Sequence, residues 1–114
     1  MLLLLVRKMI RFKNPYLFKM ASGNYCIELT DAGTWGSFPR FAKKFVKQIE
    51  ASVAKKIDGP DVRIWEIVCN GAVLNLVYDD FPNGISIEPK NKNDQQVIDE
   101  LFVVIKEQSS ANGI

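Results

Sequence analysis

The sequence predicts an α+β protein in which two helices pack on one face of an antiparallel sheet of about five strands. Two features predict this class. Several strand-like segments are joined by short turns, and two other segments carry apolar residues at helical spacing on one side only. The predicted order is β-β-α-β-β-β-α. With 114 residues, 47% of them hydrophobic, residues 1–114 are long enough for one domain around a single core.

The first two strands are predicted to form a hairpin that turns at Ser22-Gly23. A two-residue turn sets Phe18 opposite Ile27 and Tyr16 opposite Leu29, all on one face. Such alternation over two strands is typical of a hairpin with one buried face. We therefore expect these four side chains in the core.

The spacing of apolar residues predicts a helix over residues 38–57. Ser37 is a suitable N-cap, and Pro39 falls in the first turn, where a backbone N–H is not needed. Apolar residues then recur three or four positions apart until Asp58-Gly59-Pro60 ends the pattern. They are Phe38, Phe41, Phe45, Ile49, Val53 and Ile57.

A second hairpin is predicted at Asn70-Gly71, because this pair lies between two alternating apolar runs. Pairing about the turn sets Cys69 against Ala72 and Trp65 against Leu76. The two strands are therefore expected to be in register over their whole length.

The stretch Tyr78-Asp79-Asp80-Phe81-Pro82-Asn83-Gly84 raises the question of an acidic site. Adjacent residues of a strand point to opposite faces, so Asp79 and Asp80 are not expected to share one ion or proton. We interpret the stretch as a strand end followed by a four-residue loop at 81–84. That loop would bring Ile87 beside Tyr78 and place Ile85 and Ile87 on the core face.

The two ends of the chain give weaker signals. A second helix is predicted near the carboxyl end, capped by Asn93, with residues 108–114 as a frayed tail. Residues 1–12 are predicted to be a disordered lead or an additional edge strand. Their apolar run is too short for a signal-peptide core or a membrane span, so no membrane association is expected.

Composition narrows the classes of function. The chain has no histidine, which removes the commonest general acid or base and the commonest zinc ligand. We therefore predict no enzymatic activity, no catalytic residues, no metal and no cofactor. Cys26 and Cys69 have no metal-ligand spacing, and so few cysteines favour a reducing cytoplasm.

Charge is distributed unevenly along the chain. Residues 1–57 hold 11 Lys and Arg against 3 Asp and Glu, whereas residues 58–114 hold 4 against 10. One face of the first predicted helix is basic. Such a face is either solvated or paired with the acidic second helix, and the alternative is a surface for an acidic partner or nucleic acid. Nucleic acid is disfavoured, because no stacking or base-reading pattern accompanies these cations. They are Arg40, Lys43, Lys44 and Lys47, followed by Lys55 and Lys56.

The second face of the predicted sheet mixes apolar and polar residues. Ile64, Val68, Val73 and Val77 are more apolar than a water-facing side requires. A face of this kind often contacts a protein partner or a second copy of the chain. The preference of β-branched residues for strands explains the same pattern equally well.

A pocket for a small ligand is the alternative functional hypothesis. Trp35 lies in a glycine-flanked loop before the first helix, and Ser37 lies at the helix start. Free N–H groups there are able to receive an anion. The competing interpretation is that Trp35 covers the end of the core.

Three segments resemble a family of small uncharacterised proteobacterial proteins. They are WGSFPRFAKKF, with an FPxFA-type helix start, then WEIVCNGAVLNLVYDD, with an acidic YDD-type turn, and then ISIEP. The resemblance extends over about residues 15–106 and implies a single α+β domain. The family has no assigned activity, so the resemblance implies no catalytic residue.

Taken together, the sequence favours a small non-enzymatic cytoplasmic protein that acts by protein–protein contact, as an adaptor or an immunity-like protein. The contact would use the mixed sheet face or the basic helix face. Binding of a small ligand or anion near Trp35 and weak nucleic-acid binding by the basic helix are the alternatives.

Overall fold

A computed structural model describes residues 10–80 and 83–112, with side chains described as far as residue 109. It contains six strands and two helices, and a short 3₁₀ turn at Lys92–Asp94 precedes the second helix. The strands are β1 Tyr16–Lys19, β2 Tyr25–Thr30, β3 Ser52–Asp58, β4 Val62–Cys69, β5 Ala72–Asp80 and β6 Asn83–Pro89. The helices are α1 Phe38–Gln48 and α2 Gln95–Asn112.

All six strands form one antiparallel sheet in the order β1-β2-β6-β5-β4-β3. The predicted α+β class is confirmed, with one more strand than expected. Both helices contribute to a single core on one face of the sheet. We call this the covered face and the opposite one the open face.

The covered face is apolar because alternate residues of the central strands point towards the helices. Leu76 of β5 and Ile87 of β6 are 0% exposed, as are Phe45 of α1 and Ile98 of α2. Gln48 also links the helices, since its Nε2 donates to Gln108 Oε1 at 2.8 Å. One helix from each half of the chain therefore covers this face of the sheet.

The helix predicted over residues 38–57 ends at Gln48, so this prediction is wrong in its second half. Glu50 has a φ of +57°, and its N–H donates to the Lys47 carbonyl oxygen. The N–H of Ala51 donates to the Val46 carbonyl oxygen at 2.9 Å. These two bonds form a Schellman motif, the usual helix stop, with glutamate in the position that glycine normally occupies.

Residues 52–58 form edge strand β3 instead of helix. An apolar spacing of four residues suits a helix and also a strand, because four is twice the strand period. Val53 and Ile57 are 40% and 39% exposed, whereas Phe45 is 0% exposed. Pairing with β3 gives hydrogen-bond partners to the backbone groups along the outer edge of β4. The spacing of apolar residues contains no information about this requirement.

The hairpin of β4 and β5 matches the prediction at each pair. Cys69 lies opposite Ala72 and Trp65 lies opposite Leu76. Asn70 and Gly71 have φ values of 51° and 78°, as a type I′ turn requires. Local turn chemistry and alternation agree here, so the register was predictable.

The hairpin of β1 and β2 is shifted by one residue from the prediction. Its loop has three residues, because the Gly23 N–H donates to the Met20 carbonyl oxygen and the Met20 N–H donates to Asn24. This is a type I turn followed by a bulge glycine. Tyr16 therefore lies opposite Glu28, and Phe18 lies opposite Cys26.

The shift moves two aromatic residues from the expected core to the open face. Tyr16 and Phe18 are 50% and 54% exposed, whereas Ile27 and Leu29 stay in the core. A one-residue slip changes the face of every side chain on one strand. The prediction that all four residues share the core face is therefore wrong for β1.

The link from β5 to β6 is shorter than predicted. Asp80 pairs with Asn83, and Tyr78 pairs with Ile85 and not with Ile87. The predicted four-residue loop at 81–84 is wrong, since Asn83 and Gly84 belong to β6. Ile85 and Ile87 nevertheless lie on the covered face as expected, because the register changed by an even number of residues.

The ends of the described chain also differ from expectation. Asn91, and not Asn93, precedes the 3₁₀ turn, and α2 continues to Asn112, where a frayed tail was predicted from residue 108. Residues 10–12 form no strand. They are held against α1 by Phe12, which is 4% exposed and packs edge-on against Phe45. The remainder of the predicted lead, residues 1–9, lies outside the described residues.

Candidate functional site

The open face of the sheet carries the four apolar residues predicted to contact a partner. Ile64 pairs with Val77 and Val68 pairs with Val73 across β4 and β5. Val77 is 7% exposed and the other three are half-buried. No helix among the described residues covers them. They form an apolar strip along β4 and β5.

Carboxylates border this apolar strip. Glu88 lies opposite Asn75, and Glu28 and Asp79 are close enough to act on it electrostatically. Partial burial raises the pKa of Glu88, Asp79 and Glu28 raise it further, and a hydrogen bond from Asn75 partly opposes the rise. The open face is therefore apolar along β4 and β5 and acidic towards β6, β2 and the end of β5.

One ion pair crosses the open face. Lys90 Nζ lies 3.0 Å from Glu66 Oε2, so the carboxylate of Glu66 is already compensated. Glu88, Glu28 and Asp79 belong to neither of the salt bridges formed within the described part of the chain. Cations of another molecule therefore have carboxylates available on this face.

Neither cysteine is suited to nucleophilic chemistry. Burial, together with a hydrogen bond to Glu28, raises the pKa of the Cys26 thiol to about 12. Burial also raises the pKa of Cys69, whose sulfur contacts the Ile49 carbonyl oxygen on the other side of the sheet. Both thiols stay protonated at neutral pH, and their positions on opposite faces keep them apart.

The cations predicted to share one basic helix face lie in different parts of the structure. Arg40 and Lys44 line a cavity beside α1, whereas Lys43 and Lys47 do not. Lys55 and Lys56 belong to β3, and Lys56 Nζ lies 4.3 Å from the centre of the Trp65 ring. No salt bridge joins the two helices within residues 10–80 and 83–109, so the predicted charge pairing between helices is absent there.

Trp35 covers one end of the core and does not line that cavity. Its ring packs edge-on against Tyr78, with 6.4 Å between ring centres. Arg63 stacks over the same ring at 4.9 Å and donates from Nη1 to the Trp35 carbonyl oxygen at 2.8 Å. Asp58 forms a salt bridge with Arg63, with 3.0 Å between Asp58 Oδ1 and Arg63 Nε. These contacts match the competing interpretation of Trp35 as a cover.

The start of α1 offers little to an anion. The Ser37 N–H donates to Thr34 Oγ1 at 3.0 Å, and the Thr34 N–H donates to Ser37 Oγ at 2.9 Å. This reciprocal pair has the pattern of a capping box around Thr34. Ser37 is the residue that precedes α1, as predicted, but its side chain makes no capping hydrogen bond to the helix. The Phe38 N–H donates to the Thr34 carbonyl oxygen, and Pro39 has no N–H.

Ser37 nevertheless lines the cavity beside α1, which we call the basic cavity. It has a volume of about 430 Å³. Residues 10–13 form one wall and α1 forms the other. Its lining comprises Ile10, Arg11, Phe12, Lys13, Thr30, Ala32, Gly33, Ser37, Arg40, Phe41, Lys44 and Ile85. Four of these side chains are cationic and none is acidic.

Sequence reasoning missed the part of this site that lies before β1. Arg11 and Lys13 alternate with Ile10 and Phe12, which is a visible strand-like signal. Nothing local in the sequence shows that this segment packs on α1. Gln48 fixes it there, because its side chain accepts from the Ile10 N–H at 2.7 Å and donates to the Ile10 carbonyl oxygen at 3.2 Å.

The two carboxylates of the YDDFPNG stretch lie on opposite faces, as alternation predicts. Asp79 lies on the open face, close enough to raise the pKa of Glu88. Asp80 lies on the covered side and accepts a hydrogen bond from the Tyr78 hydroxyl at 3.0 Å. Burial and this contact raise the pKa of Tyr78. The two aspartates therefore form no common site.

Within residues 10–80 and 83–112, no three His, Cys, Asp or Glu side chains come together as metal ligands. No helix in the same ranges has both the length and the apolar character that are needed to cross a membrane.

Comparison with known proteins gives one family. The family described as "Protein of unknown function (DUF3630)" matches residues 16–107, from the start of β1 into α2. The match includes every strand of the sheet and confirms the resemblance to an uncharacterised family. No curated protein and no solved structure matches the chain. The chain belongs to the DUF3630 family.

Proposed function

We propose that this member of the DUF3630 family acts by binding another protein through the open face of its sheet. One observation carries the proposal: no helix among the described residues covers the apolar strip on β4 and β5, and carboxylates border it on the β6 side. Val73 and Val77 lie in this strip, with Glu88 beside them. Adaptor and immunity-like proteins act by binding another protein, so a role of this kind would use such a surface.

The chemistry of the face indicates the partner. Its apolar centre favours an apolar contact, and its uncompensated carboxylates favour cations around that contact. Exposed Tyr16 and Phe18 on edge strand β1 add a separate apolar surface to the same face, beyond β6 and β2. The expected partner is a protein with an apolar patch surrounded by Lys or Arg.

A second copy of the chain fits this face less well. A two-fold symmetric interface places the same patch on both partners, so Glu88 would approach the carboxylates of the other copy. The pKa of Glu88 is already raised by burial and by Asp79. Further burial against like charge would be unfavourable, which favours a different protein as the partner.

The cell compartment proposed for this contact is the cytoplasm. Cys26 and Cys69 are both free and buried, on opposite faces of the sheet. Reduced, unpaired cysteines are usual in a reducing compartment. A catalytic role has no support from the thiols, since the pKa values of both are raised.

Site-specific photo-crosslinking in cells tests the proposal. A photoreactive amino acid replaces Val73 on the open face, or Val103, which is 55% exposed on α2, as the control. We expect an adduct of defined mass from position 73 and none from position 103. Adding Glu88→Lys to the position-73 protein should abolish the adduct, because it removes charge complementarity.

The outcomes separate the alternatives. An adduct of twice the chain's own mass would assign the open face to self-association and would contradict a heterologous partner. Labelling from positions 73 and 103 alike would indicate non-specific contact. No adduct from position 73 in the native host would overturn the proposal.

A further inference from the structure

The basic cavity has the size of a site for a small molecule. Its volume of about 430 Å³ lies within the range of about 300–1,000 Å³ that is typical of ligand pockets. It lies between the segment 10–13 and α1, away from the open face that the proposed function uses. A ligand there would leave the open face free.

The charge of the cavity is of one sign. Arg11 and Lys13 lie on one wall, and Arg40 and Lys44 lie on the other. No Asp or Glu lines the cavity, and none of these four cations takes part in a salt bridge within the described residues. Cations around a concave, largely apolar surface concentrate the field inside it, which favours an anion.

The remaining lining of the cavity is largely apolar. Ile85 is 1% exposed, and Phe12 is 4% exposed. Phe41 stacks on Phe45 with 6.1 Å between ring centres and meets the Phe12 ring edge-on at 6.2 Å. These ring contacts fix the orientation of Phe41, so it presents a rigid apolar surface to the cavity.

Hydrogen bonds fix the spacing between the two walls of the cavity. Gln48 binds the backbone of Ile10 through both its carbonyl oxygen and its amide nitrogen. This two-point contact sets the distance between residues 10–13 and α1. Gln48 does not line the cavity, so we assign it a positioning role.

We infer that the basic cavity binds a small amphiphilic anion. Arg40, Lys44, Arg11 and Lys13 would hold its carboxylate or phosphate group, and its apolar body would lie against Phe41 and Ile10. Side-chain cations hold the anionic group, since the N–H groups of Ser37 and Phe38 at the start of α1 are already bonded. A nucleic-acid strand fits less well, because Lys43 and Lys47 of the same helix lie outside the cavity.

Titration calorimetry and backbone NMR of the full chain test this inference with four probes. Octanoate and octyl phosphate carry both features, octan-1-ol lacks the charge, and acetate lacks the apolar body. We expect saturable binding of one or both octyl anions, with NMR shifts at Gly33, Phe41 and Ile85. Octan-1-ol and acetate should bind at least about tenfold more weakly. The stronger of the two octyl anions identifies the head group.

Matched double variants test the residues. Arg40→Gln with Lys44→Gln should weaken binding of the preferred anion by at least about tenfold. Lys43→Gln with Lys47→Gln, the same charge change on the same helix, should leave the affinity within about twofold. Gln48→Ala should weaken binding while all four cations remain, and circular dichroism would verify that it is folded.

Three results would overturn the inference. In the first, neither octanoate nor octyl phosphate binds saturably. In the second, octan-1-ol binds as tightly as the preferred anion, and in the third the two double variants lose the same amount of affinity for that anion. Failure of the crosslinking experiment would leave these outcomes unaffected, because the cavity and the open face are separate surfaces.

Discussion

The two faces of the sheet are built from similar residues but differ in what covers them. On the covered face, Leu76 and Ile87 are fully buried beneath the two helices. On the open face, Val73 of β5 and Ile64 of the adjacent strand β4 remain half-buried. Glu88 on that face is partly desolvated and takes part in no salt bridge within residues 10–80 and 83–109.

This difference separates stability from recognition. Apolar burial under the helices supplies the main driving force for folding, at roughly 25 cal/mol per Å². The open face keeps apolar surface and carboxylates available to another molecule. Substitutions on the two faces are therefore expected to have different consequences, and the following predictions test that expectation from the largest effect to the smallest.

The largest effect is expected from Phe38→Ala on the covered face. Phe38 is 0% exposed and contacts Trp65 and Tyr78, with 5.9 and 6.0 Å between ring centres. Loss of the ring should lower the free energy of unfolding by about 3–5 kcal/mol. Urea denaturation followed by circular dichroism measures it. Val73→Ala on the open face should cost less than about 1 kcal/mol, and equal losses would erase the distinction between the faces.

Gly33→Ala probes how closely the loop before α1 approaches the covered face. Gly33 has a φ of +125°, and an added Cβ would lie 3.2 Å from Ile85 Cδ1. Strain and crowding should lower the free energy of unfolding by about 1–3 kcal/mol. Gly36→Ala is the control, since no atom lies within 4 Å of its added Cβ. A comparable loss at Gly36 in thermal denaturation would contradict the assigned cause.

Glu50→Gly tests the place where the covering helix stops and the uncovered edge strand begins. Glu50 has a φ of +57°, which glycine adopts without a Cβ penalty. We expect the free energy of unfolding to rise by about 0.5–1 kcal/mol. Glu50→Ala removes the same charge but keeps the Cβ, so it should give no gain in the same urea titration. An equal gain from both variants would assign the effect to charge.

The smallest effect is expected from Glu88→Gln on the open face. Burial raises the pKa of Glu88 above its ordinary value of 4.5 in the folded state. The folded protein therefore holds this proton more tightly, and stability falls as pH rises from 4.5 to the folded-state pKa. The variant should be more stable at pH 7 by less than about 1 kcal/mol and should lose this pH dependence.

Denaturation at a series of pH values checks this prediction. Glu107→Gln on the exposed side of α2 removes the same charge away from the open face and serves as the control. A loss of stability in Glu88→Gln at pH 7 would show that the carboxylate is compensated in the folded protein. The argument for a cationic partner would then fail.

The sequence by itself determined the elements whose local signals agree. Asn70-Gly71 between alternating strands set the β4–β5 register, and alternation alone placed Asp79 and Asp80 on opposite faces. The class of fold and the membership of an uncharacterised family were also predictable. The β4–β5 register and the faces of the two aspartates depend on neighbours in sequence, where a turn type or a period of two is sufficient.

Only the tertiary structure decided where local signals were ambiguous. Val53 and Ile57 suit a helix and a strand equally, and pairing with β4 made them a strand. A three-residue loop at Ala21–Gly23 placed Tyr16 and Phe18 on the open face. These outcomes depend on which backbone groups and surfaces need a partner elsewhere in the chain, which local spacing does not contain.

The basic cavity shows the same division. Arg40 and Lys44 were visible in sequence as part of a basic helix, and Ser37 was visible as a helix-start residue. The second wall comes from residues 10–13, held by Gln48 from the far end of α1, 38 residues along the chain. A concave site made by segments this distant exists only once the core has brought them together, so the sequence indicated its charges and the fold determined its shape.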